Sequence, residues 1–418
     1  MIESVQKKVL ILALYAGEIM MKSGAEIYRV EDTIVRICKA CKIDYAECFA
    51  TTTGIFVSID RGEEKDNTHT FIKRIKGTDI NLAKISAVNN FSRDFTTTDL
   101  SIDAGFAQLK KINAEPGYGV LLRVIGAILV GMFFCPIYGG SVGDMLIAGL
   151  IACVSFLLSI FIRRLGFPDF IRIFISCVGA AGMVLAAAAM GASDSISPVV
   201  VAATTIFLPG VAITNAARDL LSGDMLSGTS RLVEACITAI AIAGGIGIGM
   251  QIWLLGGGTI MHERIVEFDA PWFLLFGSCA TLGFGLIFNA PKKLLIPIAI
   301  IGGVGMFTLL SMTKEYGIIS ASFFGACAIA ILAEFASRAG KDATTLFIIP
   351  GIIPFVPGEP LYRTMNFMLI GDYSMAVSLG TQVFIIAGSI AAALVFIAAF
   401  ARLIIMVINR ISGRFARK

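Results

Sequence analysis

The residues of this chain with the clearest chemical potential lie in two short segments that match each other 148 positions apart. Phe-Leu-Pro-Gly at 207–210 returns as Phe-Val-Pro-Gly at 355–358, and each copy interrupts a long apolar stretch. Proline breaks a helix and frees backbone carbonyls, and such backbone persists at membrane depth only where it is buried in protein or lines a wet cavity. Paired interruptions of two halves indicate a transported substrate. We therefore expect a transporter whose working part is this repeat.

Each Pro-Gly is followed by an Asn and an Arg three positions apart, in opposite order in the two copies. Asn215 aligns with Arg363, and Arg218 aligns with Asn366. Residues three apart share one helical face; the Arg fork suits a carboxylate, and Asn offers a donor and an acceptor to an amine or hydroxyl. The pattern predicts a site for a small carboxylate-bearing metabolite. The expected substrate-binding residues are Pro209, Gly210, Asn215, Arg218, Pro357, Gly358, Arg363 and Asn366.

The alternative interpretation of these segments is that each Pro-Gly simply ends a membrane span. Arg218 and Arg363 would then be anchors at the membrane interface. Two copies in register favour the binding site over this alternative, because a span can end without any such repeat.

A transporter driven by an ion gradient also needs a group that exchanges a proton or binds a cation. A carboxyl in a poorly hydrated site can change its protonation near neutral pH. Glu234 and Glu359 are the preferred candidates, and the alternative for each is a loop residue at the interface. The candidate coupling residues are Asp224, Asp372, Glu234 and Glu359, with Glu334 as a further one.

Composition places most of the chain in a membrane. Of the 418 residues, 56% are hydrophobic and 15% are charged, and the mean hydropathy is +0.84, whereas soluble domains are about 25% charged. Residues 1–115 contain 16 Lys/Arg and 16 Asp/Glu, half of all the charges. A soluble, net-neutral domain is therefore expected to precede a long membrane domain. The net charge of +4 reports membrane topology and does not indicate a nucleic-acid partner.

The nine cysteines are expected to be reduced structural thiols, and no metal and no cofactor are expected. Six of them lie in apolar stretches, where Cys behaves as a small hydrophobe. Cys38-x-x-Cys41 with Cys48 and the nearby His69 is a weaker alternative, a metal site. The apolar run at 9–16 is too short to span a bilayer and has no cleavage site, so we expect a first amphipathic helix and not a signal peptide.

Periodicity predicts the elements that would position these residues. Helical spacing covers 3–42 with a break at Gly24, strands are expected within 44–60 and near 68–75, and helices are expected over 81–91 and from about 98 to 112. Ten spans follow, at 118–137, 143–162, 170–190, 196–215, 232–252, 271–289, 294–312, 317–336, 343–357 and 376–404. The ninth is short and broken by proline.

The distribution of Lys and Arg predicts the orientation of these spans. If residues 1–115 lie in the cytosol, the loops and the tail that follow them carry fourteen Lys/Arg on the inner side and three on the outer side. Both termini are then cytosolic. Five spans in each half make the second half enter from the opposite side, so the repeat is inverted, as in transporters that alternate access by rocking one half against the other.

Several segments resemble the threonine/serine exporter family. They are SGAEIYRVEDTIVRI at 23–37, TTTGIFVSI at 51–59, the ten spans and the paired Pro-Gly elements, which together cover essentially the whole chain. The resemblance implies export of small hydroxy amino acids or dicarboxylates, driven by the proton gradient; related systems split between two chains are associated with succinate export. Some members have been suggested to carry a hydrolase-like function, but no triad is evident among Ser23, Ser58 and His69.

The sequence therefore predicts a polytopic α-helical membrane protein with about ten transmembrane helices as two inverted five-helix repeats and an N-terminal cytosolic α+β domain. The expected divisions are 1–115, 116–256 and 257–418. The predicted function is secondary active, proton-coupled export of threonine/serine-like amino acids across the plasma (inner) membrane, and no enzyme activity is expected. The alternatives are a dicarboxylate exporter, a passive channel and a membrane sensor. The expected partners are the small-molecule substrate, protons and lipid, and oligomeric state is left open.

Overall fold

The N-terminal segment, residues 2–114, combines four helices with a small sheet. The structure is a computed structural model and describes residues 2–43, 45–60, 69–257, 265–369 and 371–415. The elements of this segment are α1 (Ile2–Lys22), α2 (Ile27–Ala40), β1 (Tyr45–Thr51), β2 (Gly54–Asp60), β3 (His69–Arg74), α3 (Leu82–Thr97) and α4 (Ile102–Ala114). The first two helices and the strands lie where periodicity predicts them, and Gly24, with φ of +82°, makes the break between α1 and α2. The third helix, α3, runs six residues beyond the predicted end at 91, and α4 begins at Ile102, after the predicted start near 98.

The sheet of this segment is antiparallel, in the order β1-β2-β3. Thr51 pairs with Gly54, so a tight turn within TTTG joins β1 to β2. Alternate residues Ile55, Val57 and Ile59 of β2 are buried, because successive side chains of a strand point to opposite faces.

Long apolar helices make up the rest of the chain. They are α5 (Val120–Phe134), α6 (Val142–Arg164), α7 (Asp169–Ala189), α8 (Ile196–Thr204), α9 (Gly210–Ser222), α10 (Met225–Leu255), α11 (Ala270–Ile287), α12 (Leu295–Gly340), α13 (Thr345–Ile352), α14 (Gly358–Leu369) and α15 (Tyr373–Phe415). Within the described ranges, seven helical segments are long and apolar enough to cross a membrane, or eight if the bent pair α8–α9 counts as one. The protein is therefore a polytopic helical membrane protein.

The count of ten spans stays a prediction, and two features account for the difference. The predicted spans 294–312 and 317–336 lie in one helical run, α12, which is interrupted at Gly317 with φ of 75° and ψ of 160°. The predicted ninth span corresponds to the short apolar segment Thr345–Phe355, which is shorter than a bilayer crossing requires.

The two Pro-Gly segments share the same local structure. A 3-10 turn at Thr205–Phe207 precedes α9, and another at Ile353–Phe355 precedes α14. The amide of Gly210 donates to the carbonyl of Leu208 (2.8 Å), and the amide of Gly358 donates in the same way to Val356. Left-handed glycines then end the two helices at equivalent positions, Gly223 (φ 94°) and Gly371 (φ 85°). The sequence repeat is thus also a repeat of backbone conformation.

The N-terminal segment packs directly against the ends of the membrane helices. Backbone amides of Leu82 and Ala83 donate to the carbonyls of Phe288 and Asn289 (3.0 and 2.9 Å). One apolar core extends from this segment into α12, α13 and α15. A second core is formed by α5, α6, α7, α8, α10 and α11.

Candidate functional site

The two Pro-Gly breaks meet in the interior of the protein. A Cβ placed on Gly210 would lie 2.8 Å from Cγ2 of Val356, and one placed on Gly358 would lie 2.7 Å from Cδ1 of Leu208. Pro209, Gly210, Pro357 and Gly358 are all buried. Each glycine therefore lets its own segment approach the other copy, and the structure brings four of the predicted site residues together.

Beyond the first break, α9 carries Arg218 to the start of α2, where it forms an ion pair with Glu26. The same carboxylate pairs with Arg29 through Oε2 and Nε, 2.6 Å apart. The side chain of Glu26 is 1% exposed, and those of Arg218 and Arg29 are 12% and 22% exposed. One buried carboxylate thus bridges an arginine of the membrane region and an arginine of the N-terminal segment.

A second ion pair lies next to the first. Oδ2 of Asp219 is 3.2 Å from Nε of Arg231, and the Asp219 side chain is 1% exposed. Nη2 of Arg231 donates to the carbonyl oxygen of Ala25 (3.1 Å), one residue before Glu26. Both ion pairs therefore join the end of α9 to its neighbours, α10 and the start of α2.

Arg29 and Arg218 also line a cavity of about 740 Å³ between α2, α9, α12, α13 and α15. Its wall contains two more arginines, Arg338 and Arg402, and a single carboxylate, Glu334. Glu334 pairs with Arg338 at 2.9 Å. The remaining lining is Tyr28, Thr344, Thr345, Ile348, Leu394, Val395, Ala398, Ala399 and Ala401. A wall with four guanidinium groups, hydroxyls and apolar side chains can bind a small anionic molecule.

The predicted polar residues of the repeat have different surroundings. Asn215 is buried (2% exposed), and its Nδ2 has no hydrogen-bond partner within the part of the chain that the structure describes. Arg363 is exposed on α14. The side chain of Asn366, like that of Glu359, lies outside the described residues, although the backbone of both belongs to α14. Among the predicted Asn and Arg residues whose side chains are described, Asn215 and Arg218 therefore lie in the interior and Arg363 does not.

The predicted coupling carboxylates are spread over the molecule. Glu234 is exposed on α10, beside the exposed Val233 and Ile237. Asp372 accepts a hydrogen bond from the amide of Met375 (3.0 Å) and so caps α15. Asp224, before α10, is half-buried. The structure does not bring Glu234 and Asp372 to the Arg218 cluster.

Asp224 has an acidic neighbour in the N-terminal segment, Glu31. Burial raises the pKa of Glu31, and the negative charge of Asp224 acts in the same direction, whereas the hydrogen bond from the amide of Ala50 lowers it. That bond is 2.8 Å long and ties α2 to β1. The junction between the segment and the α9–α10 turn thus contains a carboxyl group that ionises reluctantly.

The candidate cysteine and serine side chains of the N-terminal segment are buried, half-buried or hydrogen-bonded within the fold. Burial raises the pKa of Cys38 and of Cys48 to about 12, so both are protonated at neutral pH, and the nine cysteines are free thiols. No group of three or more His, Cys, Asp or Glu among the described residues could hold a metal ion. Ser23 is buried and Ser58 is hydrogen-bonded to Thr70 (3.1 Å); the side chain of His69 lies outside the described residues.

Glu26, Asp219 and Arg231 are not among the predicted site residues. In the sequence, Glu26 stands out only as part of the segment that resembles the family, and Arg231 only as a positive charge before the predicted span 232–252. The available signal was the acidic residue directly after Arg218 within an otherwise apolar region, since an ionisable residue there needs a partner. The partners are far away in sequence, which no local pattern reveals.

Comparison with known proteins gives a consistent result over most of the chain. Two family profiles, both described as threonine/serine exporter, match residues 11–253 and 274–400. The chain is 22% identical over 396 residues to the "Threonine/serine exporter" of Corynebacterium glutamicum, which covers 90% of this chain and 80% of that protein.

Two further relatives are similar over most of this chain. The "Probable threonine/serine exporter" of Mycobacterium tuberculosis is 21% identical, over 88% of this chain and 71% of that protein. The "Pheromone-regulated membrane protein 10" of Eremothecium gossypii is 23% identical, over 87% of this chain and 50% of that protein. No solved structure matches the chain.

Proposed function

This chain belongs to the threonine/serine exporter family, and from that premise we propose that it is a secondary active exporter of small carboxylate metabolites, threonine- or serine-like amino acids above all, that works by proton-coupled alternating access. The family is one of membrane exporters and not of enzymes. A small-molecule substrate and the membrane are therefore its partners.

The observation that carries this proposal is the contact between the two Pro-Gly breaks. Gly210 packs against Val356 and Gly358 packs against Leu208, which is the exchange expected if two halves are related by a two-fold axis. Helix breaks that face each other near the centre of a transporter supply unwound backbone to a substrate and a place where two halves move relative to each other. This supports two inverted five-helix repeats and ten crossings, with α12 counted twice and α13–α14 as a broken span.

The orientation we propose places both termini in the cytosol, with the protein in the plasma (inner) membrane. The N-terminal segment contacts the ends of four membrane helices or their loops, at Arg163, Arg218, Phe288 and Asp342. These belong to the ends that the Lys/Arg distribution assigns to the inner side, which supports that assignment.

Within this proposal, Asn215 and Arg218 bind the substrate together with the backbone at the two breaks, and Arg363 and Asn366 bind it from the second copy. Coupling is proposed for Glu359 and Glu234, with Asp224 and Asp372 as further candidates. Asn215 supports the substrate role most directly: its buried Nδ2 has no hydrogen-bond partner among the described residues, which costs free energy unless a ligand or water satisfies it.

The test is accumulation of labelled serine, threonine and succinate in inside-out vesicles, with and without a protonophore. Saturable uptake of serine or threonine that disappears with the protonophore is the expected result. Uptake that survives collapse of the proton gradient would replace the proposal with a channel or facilitator. Absence of all three fluxes from vesicles with well-inserted protein would contradict the substrate class.

A dicarboxylate exporter is the second candidate, because the cavity beside Arg218 contains four arginines and one glutamate. Two carboxylates could each take one guanidinium fork. Succinate uptake that exceeds threonine uptake in the same vesicles would favour this second candidate.

A further inference from the structure

Glu26 occupies a position in which the structure already shows how a carboxylate is recognised. Its Oε1 pairs with Arg218 of α9 and its Oε2 pairs with Arg29 of α2, so one carboxylate takes two guanidinium partners. Both arginines line the 740 Å³ cavity, whereas Glu26 is not part of its wall. The two arginines are therefore accessible to a solute in the cavity and are at the same time paired with Glu26.

A purely structural role explains this arrangement poorly. Removing three charged groups from water is costly, and buried ion pairs are often no more stabilising than well-packed apolar residues. The chain nevertheless places a carboxylate with 1% exposure at the contact between the N-terminal segment and the membrane helices.

We propose that Arg29 and Arg218 are the binding site for the carboxylate of the exported metabolite, and that Glu26 occupies this site when it is empty. This inference rests on the proposed export function and adds two residues of the N-terminal segment to the substrate site. Binding of a substrate carboxylate from the cavity displaces Glu26. Because Glu26 is the residue directly before α2, its release also loosens the contact between α2 and α9.

The competition has a direct consequence for affinity. Neutralising Glu26 without changing its shape removes the resident competitor and leaves both arginines available. Glu26→Gln should therefore bind the substrate more tightly than the wild type, by about tenfold if the competition is worth about 1.4 kcal/mol. A residue that merely holds the fold together would produce the opposite result or none.

The experiment is equilibrium binding of labelled threonine, serine and succinate, each as a separate probe, to the full-length protein in lipid nanodiscs. The alcohol threoninol, which lacks the carboxylate, serves as the competitor that should fail. Glu18→Gln is the matched control, because Glu18 is another largely buried glutamate of the same segment with two basic partners, Lys22 and Lys73 at 2.8 Å each. It should leave the affinity unchanged.

A second variant separates binding from folding. Glu26→Gln/Arg218→Gln replaces the ion pair by two amides and removes one proposed ligand, so affinity should fall at least tenfold below that of Glu26→Gln, while a monodisperse elution profile shows that the protein is folded. The inference is overturned if Glu26→Gln binds no more tightly than the wild type, or if the double variant binds equally well. A wild-type protein that binds none of the three probes would instead contradict the proposed function itself.

Discussion

Two carboxylates with almost no exposure, Glu26 and Asp219, hold the end of α9 against its neighbours. Each pairs with an arginine that is itself largely buried, and Arg231 additionally donates to the carbonyl of Ala25. Mutations of these buried pairs differ from mutations of surface charges in their effect on stability. Removing one partner leaves a buried charge without a counter-charge and destabilises the protein, whereas replacing both partners can leave the free energy of unfolding unchanged.

Asp219→Leu should therefore destabilise the protein by about 3–5 kcal/mol, because it leaves Arg231 buried without its carboxylate. Asp219→Leu/Arg231→Met should recover much of this loss. Thermal unfolding of the detergent-solubilised protein measures both. Equal melting temperatures for the single and the double variant would show that the two side chains are not coupled.

Glu31 gives a stability that depends on pH with a definite sign. Burial raises the pKa of Glu31 in the folded protein above its ordinary value of 4.5. The folded state therefore binds the proton of this carboxyl group more tightly than the unfolded state does. Ionisation then costs stability as the pH rises above about 4.5, and the cost disappears as the pH falls.

Glu31→Gln removes that cost and keeps an oxygen for the amide of Ala50. At pH 7.5 the variant should unfold at a higher temperature than the wild type, and the difference should vanish near pH 4.5. Glu47→Gln, at an exposed position of β1, is the control and should show no such trend. A difference that is constant from pH 7.5 to pH 4.5 would contradict the assignment.

Arg363 tests the second copy of the repeat. Because it aligns with Asn215 and offers a charged fork to a carboxylate, Arg363→Ala should abolish transport or lower kcat/KM by about ten- to a hundredfold, with normal insertion. Arg164→Ala, at an exposed position at the end of α6, should transport normally. Near-normal flux in a well-expressed Arg363→Ala protein would remove Arg363 from the substrate site.

The two broken helices can approach each other closely because Gly210 has no Cβ. A methyl group on Gly210 would lie 2.8 Å from Cγ2 of Val356 and 3.1 Å from Cγ1 of Ile353. Contacts this short force neighbours to move, and such overpacking typically costs about 1–3 kcal/mol.

Gly210→Ala should therefore lower both the melting temperature and the vesicle flux, and Gly210→Ala/Val356→Ala should restore them, because Val356→Ala removes the atom that the new methyl group meets. Gly182→Ala in α7, with nothing within 4 Å of the added carbon, is the matched control. If the double variant remains as impaired as the single one, the contact between the two breaks is not the cause.

Local elements follow from sequence because their signals are local. The span expected at 271–289 is α11 (Ala270–Ile287), and the gap expected between 312 and 317 coincides with the break at Gly317. The ion pair of Glu26 with Arg218 could not be predicted in this way, since 192 positions separate its partners and hydrophobic periodicity carries no information about which charges meet.

The same limit applies to the faces of helices. Periodicity locates α10 but does not say that Glu234 lies on its exposed side with Val233 and Ile237, because that depends on which helices pack against the other side. Of the candidate site, the breaks at Pro209 and Pro357 were predictable, and the carboxylates that face the arginines were not.

At the scale of the whole molecule, the N-terminal segment packs against the ends of the membrane helices. Asp342, two residues after the end of α12, accepts from Lys293 (2.7 Å) and from Ser86 of α3 (3.3 Å), and Arg93 donates to the carbonyl of Lys341 (2.8 Å). The N-terminal segment is thus joined to the end of α9 through Glu26 and to the end of α12 through Ser86 and Arg93.

The path of α12 decides whether the ends that the segment touches can lie on one side of the membrane. An uninterrupted helix of 46 residues would be about 70 Å long, more than twice the hydrocarbon thickness of about 30 Å. The break at Gly317 divides it into two pieces, each long enough for one crossing. We therefore propose that α12 crosses the membrane twice, so that both of its ends lie on one side and its middle lies on the other.

Single cysteines at Lys292, Lys314 and Lys341, all exposed positions, test this path with a membrane-impermeant maleimide. The cysteine at 314 should react in intact cells, and those at 292 and 341 should react only in inside-out vesicles. Each signal is measured above the background from the native cysteines, most of which lie in apolar stretches. Labelling of 292 and 341 from opposite sides would mean that α12 crosses once. The two halves would then have the same orientation, and an inverted repeat with facing breaks would be excluded.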